Sequence, residues 1–192
     1  MTARQTTELA TFDLELRETA GMEQRIVTAM LVPYGETSMS TEHRGGERFI
    51  RGAFRKSVAD RARAKRPLLL FRAHDHGKPV GKALSLKDTE AGPLGEFRIA
   101  ETSAGNETLA ELKEGLLPQV SIGFRTIRDR MAGGVREVVE AALAEVSLAP
   151  MGAYDGAEVL SLREPAGELD LAWVSLPPAP TVDPSQPIGL WR

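Results

Sequence analysis

The sequence contains no cysteine. That absence excludes disulfides, thiol nucleophiles and thiolate metal centres together. Histidine is scarce too, with only His43, His74 and His76, so imidazole chemistry has few places to reside. Aromatic residues make up 5%, and charge of neither sign dominates: 24 Lys+Arg stand against 27 Asp+Glu, a net charge of −3. Such balance removes the simplest electrostatic case for a nucleic-acid binder, which needs a basic face. No apolar run is long enough to cross a bilayer. Met1 to Ala10 also lack the basic-then-apolar plan of a secretory signal. The expectation is a soluble, cytoplasmic protein. What is present is 42% hydrophobic residues in a chain of 192, enough for one compact domain with a small additional element or tail.

Phe12, Leu14 and Leu16 alternate with Asp13, Glu15 and Arg17, the period of a half-exposed strand. A turn around Gly21 and a more buried strand, Arg25 to Val32, complete an expected hairpin. Ala53 to Ala64 has helical composition with a basic exposed side, and Pro67 ends it. Leu68 to Phe71 reads as a buried strand, and Val80–Leu86 with Leu94–Ile99 as a second hairpin. Leu109, Leu112, Leu116 and Leu117 give Ser103 to Leu117 the spacing of a helix stopped by Pro118. Val120 to Ile127 alternates as a strand. Val135, Val138, Val139, Ala142, Leu143 and Val146 follow helical spacing, while their β-branched content and the Gly133-Gly134 turn favour a strand. Ala157 to Leu162 is a last short strand. Six of the twelve prolines (Pro165, Pro177, Pro178, Pro180, Pro184, Pro187) and both tryptophans then mark an extended tail, unfit for a sheet interior.

His74 and His76 flank Asp75 at the end of an apolar strand, and an i, i+2 pair on a strand points both rings one way. Three readings follow: a polar strand end, a metal site lacking a third ligand such as His43 or a carboxylate, or a general base serving a nucleophile elsewhere. Without cysteine the nucleophile must be a hydroxyl. Ser121 stands out because it lies between Val120 and Ile122 inside an apolar strand. No GxSxG elbow exists, so an α/β-hydrolase is not supported. Glu145 is an acid inside the apolar segment Ala141 to Leu148, where burial requires a partner, and a histidine suits it.

Five ordered blocks resemble the prohead (procapsid maturation) proteases of tailed phages, relatives of the herpesvirus capsid-maturation protease assemblin. Pro33-Tyr34-Gly35 closes the early strand, and Phe49-Ile50-Arg51-Gly52-Ala53-Phe54 is similar to the family's "PGAF" segment. Leu70-Phe71-Arg72-Ala73-His74-Asp75, with Val80-Gly81, resembles its apolar strand ending in His-Asp. Val120-Ser121-Ile122-Gly123-Phe124 resembles "SxGF", and Glu145-Val146-Ser147-Leu148 with Pro150 and Ala153 resembles "EVSLV…PA". The likeness runs from about Arg25 to Arg163. Arg51 stands where relatives usually carry proline, and the closing block is a loose version.

The resemblance implies a mainly β fold with a few helices, an assemblin-like, mostly antiparallel barrel, and a strand rather than a helix over the ambiguous segment. It divides the chain into an N-terminal strand or arm (1–23), a protease domain (24–164) and a Pro-rich tail (165–192). It implies Ser121 as nucleophile, His74 as general base and Glu145 as the orienting third member, with no cofactor. The implied substrates are the scaffolding segment of the major capsid protein and the protease itself, cut inside the assembling procapsid in the host cytoplasm, with a dimer as the implied oligomer. The tail would tether the enzyme to the shell or be its self-cleavage region. Rival readings are an idle structural module of the same barrel, a metal-dependent hydrolase on His74, Asp75 and His76, and nucleic-acid binding by the basic helix between Arg51 and Arg66.

Overall fold

The computed structural model describes residues 25–38, 45–64, 67–164 and 167–170. Its elements are β1 (Ile26–Met30), β2 (Glu47–Phe49), α1 (Arg55–Ala64), β3 (Leu69–Arg72), β4 (Gly81–Asp88), β5 (Pro93–Ile99), α2 (Ser103–Lys113), β6 (Gln119–Ala132), β7 (Val135–Ala149), β8 (Val159–Glu164) and β9 (Gly167–Asp170). The fold is mainly β with two helices, as expected. Hydrogen-bonded neighbours run β6-β7-β3-β4-β5-β1-β8-β9, and β2 shares with β3 the edge of β7 opposite β6. Most pairs are antiparallel; β2 and β3 run parallel to β7. The sheet is not closed as a continuous ladder. One isolated bridge, Gln119↔Glu158, joins the start of β6 to the residue before β8, where Val120 N–H donates to Ala157 O (2.8 Å) and Val159 N–H to Pro118 O (2.9 Å).

The curled sheet wraps a core in which Val27, Leu31, Phe49, Phe54, Leu70, Phe97, Ile99, Val138, Leu143, Val146, Leu148 and Leu162 are almost wholly withdrawn from water. Removing that apolar surface from water is the main stabilising term of such a domain. Phe49, Phe54, Phe124 and Tyr154 pack as tilted and edge-on rings, with Phe49 4.9 Å from Phe54 and 4.8 Å from Phe124. This cluster explains the aromatic ends of the Phe49 to Phe54 block. Between them Gly52 turns the chain at φ +83°, a left-handed conformation that suits glycine. Exposed Arg51 pairs with Glu90.

The ambiguous segment is a strand, β7, paired with β6 along its length. Its odd periodicity has a physical origin in two bulges. Ala144 and Val139 are skipped in the pairing with β6, and each extra residue exchanges inward for outward. The inward apolar residues are therefore Val138, Ala141, Leu143, Val146 and Leu148, an alternation interrupted twice. Helix α2 begins at an N-cap, where Thr102 Oγ1 accepts from Gly105 N–H (3.1 Å). It ends before the expected Leu117, because Gly115 turns left-handed (φ +69°) and takes the chain out of the helix.

The alternating segment Phe12–Leu16, expected to pair with β1 in a hairpin, lies outside the described residues, in which β1 pairs with β5 on one edge and β8 on the other. The tail expected from Pro165 begins instead with β9, paired to β8 at the edge of the sheet. His43, Trp173, Trp191 and the prolines from Pro177 onward lie outside the described residues.

Candidate active site

Strand β7 is the backbone of the site because both of its edges are occupied there. On one edge β6 sets Ser121 opposite Ser147 and Gly123 opposite Glu145. On the other, β3 sets Phe71 opposite Ser147 and Arg72 opposite Leu148. Directly opposed residues share a face of the sheet, as do residues two apart on one strand. Ser121, Gly123, Glu145 and Ser147 therefore lie on one face, while Val146 and Leu148 point into the core.

The histidine arrives by a different device. After Arg72 the chain leaves β3 through Ala73 (φ +47°) and His74 (φ +59°), two consecutive left-handed non-glycine residues. This conformation is uncommon for side chains with a Cβ and persists only where neighbours impose it. Here Ala73 N–H donates to Leu148 O (2.9 Å), and His74 N–H donates to Ser147 Oγ (3.1 Å). The corner thus hangs from β7, and the ring swings back over Glu145.

Glu145 is buried, and both of its oxygens are engaged. Oε1 lies 2.6 Å from His74 Nδ1, and Oε2 accepts from Ser147 Oγ–H at 2.9 Å. Opposite it, a Cβ on Gly123 would stand 2.8 Å from both Glu145 Cγ and Oε1, so glycine leaves the space that the carboxylate fills. With Nδ1–H donating to Glu145, the neutral imidazole keeps its lone pair on Nε2, the state a general base needs. His76 Nε2 is 3.7 Å from the same Oε1, and its ring packs edge-on to Phe71 with centroids 5.1 Å apart. Ser121 is half-buried; among the described residues its hydroxyl makes no hydrogen bond with either ring. Nucleophile–base contacts are often loose before substrate binds.

Helix α1 supports this arrangement from behind. Arg61 reaches Leu143 O (Nε, 3.0 Å) and Ala144 O (Nη2, 3.0 Å), and Ser57 Oγ accepts from Leu143 N–H (2.9 Å). These bonds hold the bulge one residue before Glu145. Burial lowers the pKa of the Arg61 guanidinium. Among the described residues the helix's other cations are paired as well, Arg55 with Asp88, Lys56 with Glu140 and Arg63 with Asp60. A cleft of about 520 Å³ opens beside the His74 corner, lined by Arg72, Ala73, Asp75, Lys78, Glu107 and Pro150 among others.

Of the residues singled out from sequence, His74 and Glu145 are in direct contact, and Ser121 lies on the same face across from Ser147. Asp75 is turned aside, accepting from Gly77 N–H (3.0 Å). His74, His76 and Glu145 also form a group of metal-ligand type, each offering one donor atom within 4.8 Å of the others. The sequence sets Ser147 two residues from Glu145. It did not reveal that Ser147 joins His74 to that acid, or that Gly123 makes room for it.

The chain matches a family model described as caudovirus prohead serine protease over residues 12–168, a longer span than the resemblance from Arg25 to Arg163. A prohead protease of Escherichia phage T5 is 34% identical over 93 residues, 48% of this chain and 43% of that protein, so the match spans less than half of the relative's length. Among solved structures, the KSHV protease in complex with a hexapeptide phosphonate inhibitor superposes with a TM-score of 0.46 at 15% identity, over 71% of this chain and 64% of that one. The capsid assembly protease of bacteriophage T4 superposes with a TM-score of 0.42 at 14% identity, over 71% and 97%.

Proposed function

This chain belongs to the caudovirus prohead serine protease family, and from that membership we propose a serine endopeptidase in which Ser121, His74 and Glu145 carry the chemistry. The observation that carries the reading is the contact between His74 Nδ1 and a buried Glu145 oxygen, on the face where Ser121 lies. His74 Nε2 takes the proton of Ser121 Oγ as that oxygen attacks the scissile carbonyl. The tetrahedral intermediate collapses as the same nitrogen gives its proton to the leaving amine, leaving an acyl-serine. Water then repeats the sequence and frees the acid product. Glu145 keeps the ring in the tautomer with Nε2 open and opposes the positive charge that forms on it, while Ser147 holds Glu145 in place.

The substrate is a segment of a capsid-assembly protein, of the scaffolding kind removed during maturation, and the enzyme's own chain, both cut within the procapsid. A dimer is the proposed assembly. The cleft beside His74 would take a substrate side chain, its walls offering both Arg72 and Lys78 and the acids Asp75 and Glu107. A serine-directed phosphonate tests the reading: wild type gains one adduct, on Ser121, and Ser121→Ala gains none. Intact mass followed over time is expected to show shortening of the wild type alone, with kcat in the Ser121→Ala variant lower by about 10⁴-fold or more. An adduct on both chains, or none on either, refutes the assignment. Activity of Ser121→Ala that a chelator abolishes would favour a metal hydrolase instead.

A further inference from the structure

We propose that His74, His76 and Glu145 form a binding site for a divalent transition-metal ion such as Zn²⁺, and that the ion switches the peptidase off. Glu145 Oε1 is the shared atom, 2.6 Å from His74 Nδ1 and 3.7 Å from His76 Nε2. Zinc bonded to imidazole nitrogen and carboxylate oxygen at about 2.0–2.2 Å sets tetrahedral donors about 3.4 Å apart, so the His74–Glu145 contact opens while the three donor atoms, all within 4.8 Å of one another, are drawn together by rotation of the two rings. Two imidazoles and one carboxylate, with a fourth position left to water, is a donor set zinc accepts. The set is oriented in advance: Ser147 Oγ–H holds the far oxygen of Glu145, as outer-shell partners hold metal-binding carboxylates, and Phe71 backs the His76 ring. The His74 and His76 side chains are 45% and 67% exposed, so an ion reaches them from solvent without opening the fold.

Inhibition follows from proton accounting. A neutral imidazole has one N–H, and in the working state it sits on Nδ1 and points at Glu145. When Nδ1 ligates the ion, that proton moves to Nε2, and the nitrogen that must accept the Ser121 proton becomes a donor. Base catalysis stops although nothing blocks the serine. Binding of the ion does not depend on the peptidase reading; the inhibition does.

Zinc affinity of the full chain is measured by competition with a chromophoric chelator, which needs no activity, on wild type, Ser121→Ala and His76→Gln. The expected result is one ion bound equally by wild type and Ser121→Ala, with His76→Gln weaker by about tenfold or more. Peptide cleavage, scaled to each protein's own metal-free rate, then falls with added Zn²⁺ for wild type, recovers with EDTA, and falls less for His76→Gln. Equal affinity in His76→Gln, or no stoichiometric binding, overturns the proposal and leaves the phosphonate result as it was. Zinc-stimulated cleavage by Ser121→Ala overturns it as well, because the ion would then be the catalyst.

Discussion

The space opposite Glu145 is the most exacting feature at the scale of single residues. Gly123 is needed for the absence of its side chain, not for a special backbone angle. In Gly123→Ala the new methyl meets the carboxylate at 2.8 Å, so the acid must rotate away from His74 or the strands must part. The expected outcome is a loss of about 1–3 kcal/mol in stability, with kcat reduced far more than KM. Urea denaturation and steady-state kinetics check the two parts. His74, Ser121 and Glu145 stood out as candidates because histidines are few and Ser121 and Glu145 lie within apolar stretches, while the roles proposed for them came from the family resemblance alone. Gly123 and Ser147 were not legible in the same way. Their parts are set by which residue faces which across paired strands, and spacing within one strand carries no such information.

Among elements, α1 and the Ala144 bulge form a unit. The bulge gives Glu145 the face opposite Val146 and Leu148, and Arg61 occupies the carbonyls that it exposes. Arg61→Ala is expected to cost about 1.5–3 kcal/mol, the range for hydrogen bonds involving a charged group. It should also lower activity though Arg61 is remote in sequence from Ser121, while Arg63→Ala, whose only described pairing is with exposed Asp60, changes neither. Thermal melts and peptide cleavage on the two variants separate these outcomes. The same bulges account for what was hard to read in β7, since two interruptions of a period of two imitate helical spacing. Local pattern also located β1 correctly but did not name β5 and β8 as the strands on its edges. Alternation reports that a segment is a half-buried strand; it is silent on which strands, distant in the chain, fill its edges.

For the molecule as a whole, acid stability depends on Glu137. It accepts from Arg130 on β6 (2.7 Å) and from Arg48 on β2 (2.6 Å), tying three strands together at the end of β7 away from Glu145. These hydrogen bonds, Arg130's first, hold its carboxyl below the ordinary value of 4.5. The folded state therefore binds this proton less readily than the unfolded chain. Its contribution is fully present above that ordinary value and fades as pH falls through the lowered one. The melting temperatures of wild type and Glu137→Gln should differ most near neutral pH and converge as pH falls below the lowered value. A gap that persists in acid would show that packing, not charge, sets the difference.

Strand β7 holds the proposed nucleophile and base on opposite edges, one through β6 and the other through β3. The three side chains therefore share one face only in a chain that has zipped along both sides. On the proposed reading, a misregistered or half-folded copy would have a serine and a histidine but no hydrolytic power. Turnover would then certify correct folding, and an immature copy would leave its neighbours uncut until its own architecture is complete.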